Sequence, residues 1–117
     1  MAQADMIAIQ IPKSRWTEES AFIATAYFRL RSTAAAVTPT TVKYRIDCLK
    51  TGKELADWTT VSAASNVSIA ITMTHNKIQD DGNRSERKQL IVEADSDLAT
   101  QHRDKIVWIV ENLQGTV

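Results

Sequence analysis

A chain of 117 residues with 44% apolar content supports one domain built around one core, and 14 basic against 14 acidic residues leave it formally neutral. That balance argues against a dedicated nucleic-acid binder, which carries a basic excess. The single cysteine, Cys48, excludes an internal disulfide and a multi-cysteine zinc site. No apolar run approaches the roughly 20 residues of a membrane-crossing helix. The N-terminus has no basic start followed by an apolar stretch, so the chain is expected to be made and folded in a cytoplasm.

Residues 1–19 read as an N-terminal arm or short first strand with a connection. Ile7, Ile9 and Ile11 alternate and are stopped by Pro12. Residues 14–20 are a polar connection that holds Trp16, and Thr17-Glu18-Glu19 has the composition of a short helix start. The sandwich domain is expected over residues 20–113. Its first long strand covers residues 20–31, where Phe22, Ala24, Ala26, Phe28 and Leu30 share one side. The alanines there permit helix, but the aromatic and β-branched residues favour strand. A loop over residues 32–41 leads to Val42, Tyr44, Ile46 and Cys48, which alternate with Lys43, Arg45 and Asp47.

A turn at Thr51-Gly52-Lys53 precedes Leu55 and the Asp57-Trp58-Thr59 cluster, and Val67, Ile69, Ile71 and Met73 alternate again. Asp80-Asp81-Gly82-Asn83 is a turn signal. In the strand over residues 86–94, Leu90, Val92 and Ala94 point inward and Gln89, Ile91 and Glu93 outward; Asp95-Ser96-Asp97 breaks it. The last strand, residues 105–111, sets Ile106, Trp108 and Val110 on one side and Val107 and Ile109 on the other. Residues 114–117 form a C-terminal tail. About seven antiparallel strands with short connections and no strong helix define an all-β fold, a sandwich.

Val42-Lys43-Tyr44-Arg45-Ile46-Asp47, Asp57-Trp58-Thr59-Thr60-Val61, Val67-Ser68-Ile69-Ala70-Ile71-Thr72 and Leu90-Ile91-Val92-Glu93-Ala94 together resemble a fibronectin type III-like or immunoglobulin-like domain. Lys88 stands where the fibronectin pattern usually begins its sixth strand with a tyrosine. The fuller pattern adds Thr38-Pro39-Thr40-Thr41, Leu55-Ala56, Asn76-Lys77-Ile78-Gln79, Glu86-Arg87-Lys88-Gln89-Leu90 and Glu111-Asn112-Leu113. It resembles small virion proteins of tailed bacteriophages. That resemblance implies a non-enzymatic structural component of a virion, made in the host cytoplasm: capsid decoration or cement, neck or tail. It implies as partners other virion proteins (major capsid, neck or tail) and further copies of the chain, with no membrane and no nucleic acid.

The residues themselves offer no catalytic centre, no cofactor site and no metal site. His75 and His102 fall in loops without evident partners, and a surface role suits them. Asp80, Asp81, Asn83, Asp95 and Asp97 carry oxygen ligands, but their spacing is that of turns and not of a calcium loop. Cys48 has inward parity and reads as a small hydrophobe. Arg84-Ser85-Glu86-Arg87-Lys88 reads as a solvated basic segment.

Trp58 and Trp108 take the parity of core residues. Trp16 is either an anchor at a contact or a lid on one end of the core. Ile91, Val107 and Ile109 point outward on two neighbouring strands and form an apolar patch that needs a mate. Another chain supplies it, or the arm does through Ile7, Ile9 and Ile11. Protein-interface candidates are therefore Ile7, Ile9, Ile11, Trp16, Ile91, Val107 and Ile109. The alternative function is a carbohydrate- or cell-surface-binding module, whose sites favour exposed aromatics on end loops. A small hydrolase lacks a nucleophile–base pair and a glycine-rich turn.

Overall fold

A computed structural model describes residues 6–30, 33–80, 82–94 and 102–113. Asp81, Asp95, Asp97 and the tail expected at 114–117 lie outside them. The described chain is all-β: β1 (Met6–Gln10), β2 (Arg15–Thr17), β3 (Phe22–Arg29), β4 (Val42–Cys48), β5 (Glu54–Val61), β6 (Asn66–Ile71), β7 (Ser85–Ala94) and β8 (His102–Glu111). Three strands form one sheet in the order β1-β3-β6, and five form the other in the order β2-β8-β7-β4-β5. All pairings are antiparallel except β2 with β8, which is parallel.

Period-two alternation builds the core. Phe22, Ala24, Ala26 and Phe28 of β3 and Val67, Ile69 and Ile71 of β6 face Val42 and Ile46 of β4, Leu90 and Val92 of β7, and Trp108 and Val110 of β8. The alanines of β3 let the sheets approach where Trp108 and Phe28 are large, as close-packed interiors require. The first nineteen residues supply one strand to each sheet. β1 pairs with β3 and also lies against β8, so it closes one side of the sandwich.

Three expectations change. Arg15–Thr17 is a strand and no helix begins at Thr17; the chain instead turns at Glu19, whose φ of 61° is a left-handed conformation uncommon for a side chain of that kind. Glu19 is held there because its amide donates to the Asn76 carbonyl at 2.9 Å.

Trp58 is not in the core. The β4–β5 register slips between Tyr44 and Ile46 and again before Asp47, so the residues around Trp58 lose simple alternation. Asp57 Oδ1 accepts the Trp58 amide at 2.7 Å within this irregular stretch. The indole ends half-buried on the outer face, with Lys43 Nζ 4.8 Å and the Arg103 guanidinium 5.4 Å from its centroid. Trp58→Ala should therefore lower stability by only about 1–2 kcal/mol, the scale of partly solvated cation–π contacts plus modest burial. A urea titration measures it; a loss matching a core tryptophan would contradict this placement.

The Arg84–Lys88 segment is not a solvated loop. Arg84 and Arg87 are exposed, but Glu86 and Lys88 are fully buried on the inward row that continues to Leu90, Val92 and Ala94. Lys88, at the place of the fibronectin tyrosine, directs its ammonium inside the sandwich and donates to Glu86 Oε1 at 2.9 Å and to the Lys77 carbonyl at 2.8 Å.

Candidate contact surfaces

The outer face of the five-stranded sheet carries the sequence-predicted patch. Cross-strand partners are Ile91 with Lys105, Gln89 with Val107, and Arg87 with Ile109; β2 then sets Arg15 beside Ile109. Ile91, Val107 and Ile109 thus run as one diagonal across β7 and β8, each half-buried, inside a rim of Arg15, Arg87, Gln89 and Lys105. An apolar centre with a polar and cationic rim is the anatomy of a protein contact. Among the described residues no strand packs over this face.

The isoleucine arm does not cover it. Ile7 is opposite Phe28 and Ile9 opposite Ala26, so both share the inward parity of β3. With Ile11 they are half-buried against the core. The arm serves the interior from the other sheet, and those three side chains are used within the chain.

Trp16 takes the position of a lid. It pairs with Val110, and its ring stacks on Phe22 at 4.4 Å between centroids and 11° between planes. Phe22 in turn meets Trp108 edge-on at 5.3 Å. Trp16 Nε1 donates to the Lys13 carbonyl at 2.8 Å, and Lys13 Nζ lies 4.6 Å from the ring centroid. This geometry gives the indole a packed face and a satisfied donor. The four nominated residues Ile7, Ile9, Ile11 and Trp16 therefore point to the core or cap it, while Ile91, Val107 and Ile109 stand together outside.

Beside the patch lies an ionic cluster missed in the sequence. Glu93 has outward parity yet is almost fully buried. Arg103 donates through Nε to Glu93 Oε2 at 2.8 Å and through a second guanidinium nitrogen to the same oxygen, and Lys43 Nζ lies 3.3 Å from Oε1. Burial alone would raise the Glu93 carboxyl; the hydrogen bonds from Arg103 and Lys43 outweigh it and hold it below its ordinary value. Trp58 lies between the same two cations, so one carboxylate and one indole order a half-exposed cationic surface.

The remaining candidates are structural. His75 Nδ1 accepts the Thr72 amide at 3.0 Å in a turn, and burial lowers its pKa. His102 opens β8 and is not in a loop. Asp80 Oδ1 accepts the Gly82 amide at 3.0 Å, which is turn chemistry. Cys48 is fully buried, with Sγ 3.6 Å from Glu86 Oε1. Among the described residues no group of three or more His, Cys, Asp or Glu side chains is placed to hold a metal ion, and no helix is long and apolar enough to cross a membrane.

No family model matches the chain, and no curated protein matches it. Among solved structures it is similar to the adhesin InvE of Yersinia pseudotuberculosis, with 10% identity and a TM-score of 0.54 over 92% of this chain and 32% of that one. The chain thus spans about a third of the adhesin's length. It also aligns with a cohesin module from a family 33 glycoside hydrolase of Clostridium perfringens, at 12% identity and a TM-score of 0.44, over 95% of this chain and 99% of that one. The adhesin likeness is one of fold, and with the two sheets described above it makes this chain an all-β sandwich of the immunoglobulin-like kind.

Proposed function

We propose that this chain is a non-enzymatic interaction module whose work is binding other proteins through the outer face of its five-stranded sheet. The observation that carries the reading is the diagonal of Ile91, Val107 and Ile109, ringed by polar and cationic side chains on a rigid sheet. In its finer form the reading makes the chain a structural component of a phage particle, as capsid decoration, neck or tail protein. Support for that form comes from the resemblance of the 38–47, 55–59, 76–79 and 86–90 segments to small virion proteins. On a particle, repeated weak contacts add through effective concentration.

Ile109→Lys tests it. The Ile109 amide donates to the Ser14 carbonyl at 2.8 Å, and that backbone bond survives the substitution. The side chain points away from the core, so the melting temperature should stay near wild type. Incorporation into particles should fall at least about tenfold, since a charge must be desolvated at the contact. A variant that folds and incorporates normally removes this face from the proposal.

A second reading, a carbohydrate- or cell-surface-binding module, is favoured by one observation: Trp58 is a half-exposed indole set between Lys43 and Arg103. The fold likeness to part of an adhesin is compatible with it. Glycan-array binding that Trp58→Ala abolishes, with Ile109→Lys indifferent, would favour this reading over the first.

A further inference from the structure

We infer that β6 is a self-pairing edge, through which two copies of this chain join their three-stranded sheets about a two-fold axis at Ser68. The inference gives the interaction reading one partner, a second copy, at a surface separate from the outer-face diagonal.

The backbone polarity of β6 decides which of its residues can pair with a second strand. The Phe28 amide donates to the Ser65 carbonyl at 2.9 Å, so Phe28 and Ser65 form a hydrogen-bonded pair. Such pairs recur at every second residue of an antiparallel ladder. Val67, Ile69 and Ile71, opposite Ala26, Ala24 and Phe22, therefore turn their amides and carbonyls toward β3. Asn66, Ser68 and Ala70 turn theirs to the open side, where no described strand pairs with them. A second β6 laid antiparallel with Ser68 opposite the partner's Ser68 also sets Asn66 opposite the partner's Ala70, and Ala70 opposite the partner's Asn66. All three are then hydrogen-bonded pairs, and the inward rows of Val67, Ile69 and Ile71 stay inward in both copies. Centring the axis on Val67 or Ile69 would make that residue a non-hydrogen-bonded pair and leave two hydrogen-bonded pairs within β6, where the Ser68 axis uses the outward groups of Asn66, Ser68 and Ala70 together.

The side chains favour a copy of the same strand. Asn66, Ser68 and Ala70 are small and uncharged, so no like charges meet across the axis. The chain's zero formal charge adds no overall repulsion between copies. The other edges are guarded in the usual ways. β5 is bulged and carries Glu54 and Asp57. β2 has three residues, including exposed Arg15. β1 lies against β8. β6 has none of these protections, and its C-terminal end borders a shallow apolar groove of about 520 Å³ containing Ile23 and Met73, which are 52% and 56% exposed.

Single-cysteine scanning tests the register. Cys48 is fully buried, so a new exposed thiol is the reactive one. Opposed residues of a hydrogen-bonded pair have Cα atoms about 5.5 Å apart, within the range a disulfide spans. Mild oxidation of the full chain should give a covalent dimer of twice 13.0 kDa for Ser68→Cys, and little for Asn66→Cys or Ala70→Cys, whose thiols lie far from their own copies. In sedimentation, the unmodified chain should shift from monomer to dimer with concentration. Ser68→Lys should stay monomeric while keeping the wild-type melting temperature. A chain that is monomeric throughout, a dimer that Ser68→Lys leaves intact, or crosslinking equal at all three positions overturns the inference. Because these readouts use purified protein alone, they fail or succeed independently of Ile109→Lys in particle assembly.

Discussion

Trp108→Ala should lower the stability of this chain by about 3–5 kcal/mol, the range for deleting a large aromatic from a packed core. Trp108 is fully buried and meets Phe22 edge-on, and Phe22 carries the stacked ring of Trp16. Its loss also breaks a polar link between three parts of the fold. Trp108 Nε1 donates to Asn76 Oδ1 at 2.8 Å, Asn76 Nδ2 donates to the Ser20 carbonyl at 2.7 Å, and the Asn76 carbonyl accepts the Glu19 amide. The two contributions separate by substitution. Trp108→Phe keeps most of the apolar packing but leaves the buried Asn76 oxygen without its donor, so it should cost about 1–3 kcal/mol. Urea titrations of the two variants supply the comparison; equal losses would mean that the hydrogen bond, not packing, carries the whole effect.

The strands were readable wherever one face is apolar and the other wet. Alternation in Val42–Cys48, Phe22–Arg29 and Asn66–Ile71 is the direct imprint of a half-buried sheet, and these strands occur where the pattern places them, except that the third stops at Ile71 and leaves Met73, the last residue of its alternating run, exposed beyond its end. Alternation fails where a ladder slips, and Trp58 is the example: its sequence neighbours suggest core parity, while the β4–β5 irregularity turns the indole outward. It fails also for three-residue β2, too short to show a period. Which strand lies at an edge is a property of sheet order, which periodicity does not encode, and so the openness of β6 came only with the structure. Of the nominated contact residues, the outward diagonal was legible because β7 and β8 are hairpin neighbours. The inward use of Ile7, Ile9 and Ile11 depends on β1 pairing with β3, a partner that no local pattern names. The buried pair at Glu86 and Lys88 did leave a trace: both share the parity of Leu90, Val92 and Ala94, two opposite charges on a row otherwise apolar.

That pair underlies the second large effect, loss of stability in acid. Glu86 Oε1 accepts the Gln79 amide at 2.7 Å and Lys88 Nζ at 2.9 Å, while Oε2 accepts the Asp80 amide and Asn83 Nδ2, each at 2.9 Å. One carboxylate thus fastens the β6–β7 connection to the base of β7. Burial alone would raise its pKa, but these donors overcome burial and hold it at about 2, below the ordinary 4.5. Since the folded value is the lower one, the unfolded chain binds the proton more readily. The stabilisation is complete above about pH 4.5 and fades as pH falls toward 2; the shift corresponds to something on the order of 3 kcal/mol. Glu93, also held below its ordinary value, acts in the same direction. Glu86→Gln leaves Lys88 charged and buried without its counter-ion, so at neutral pH it should cost about 3–5 kcal/mol. Lys88→Met should cost less, because Glu86 keeps the Gln79, Asp80 and Asn83 donors, whereas in Glu86→Gln Lys88 keeps neutral acceptors but loses its buried carboxylate partner. Melting temperatures followed from pH 7 to pH 2 should therefore fall steeply below about pH 4.5 for the wild type and more gently for Glu86→Gln, with the two curves converging in acid. Parallel curves over that window would mean that another group controls the acid transition.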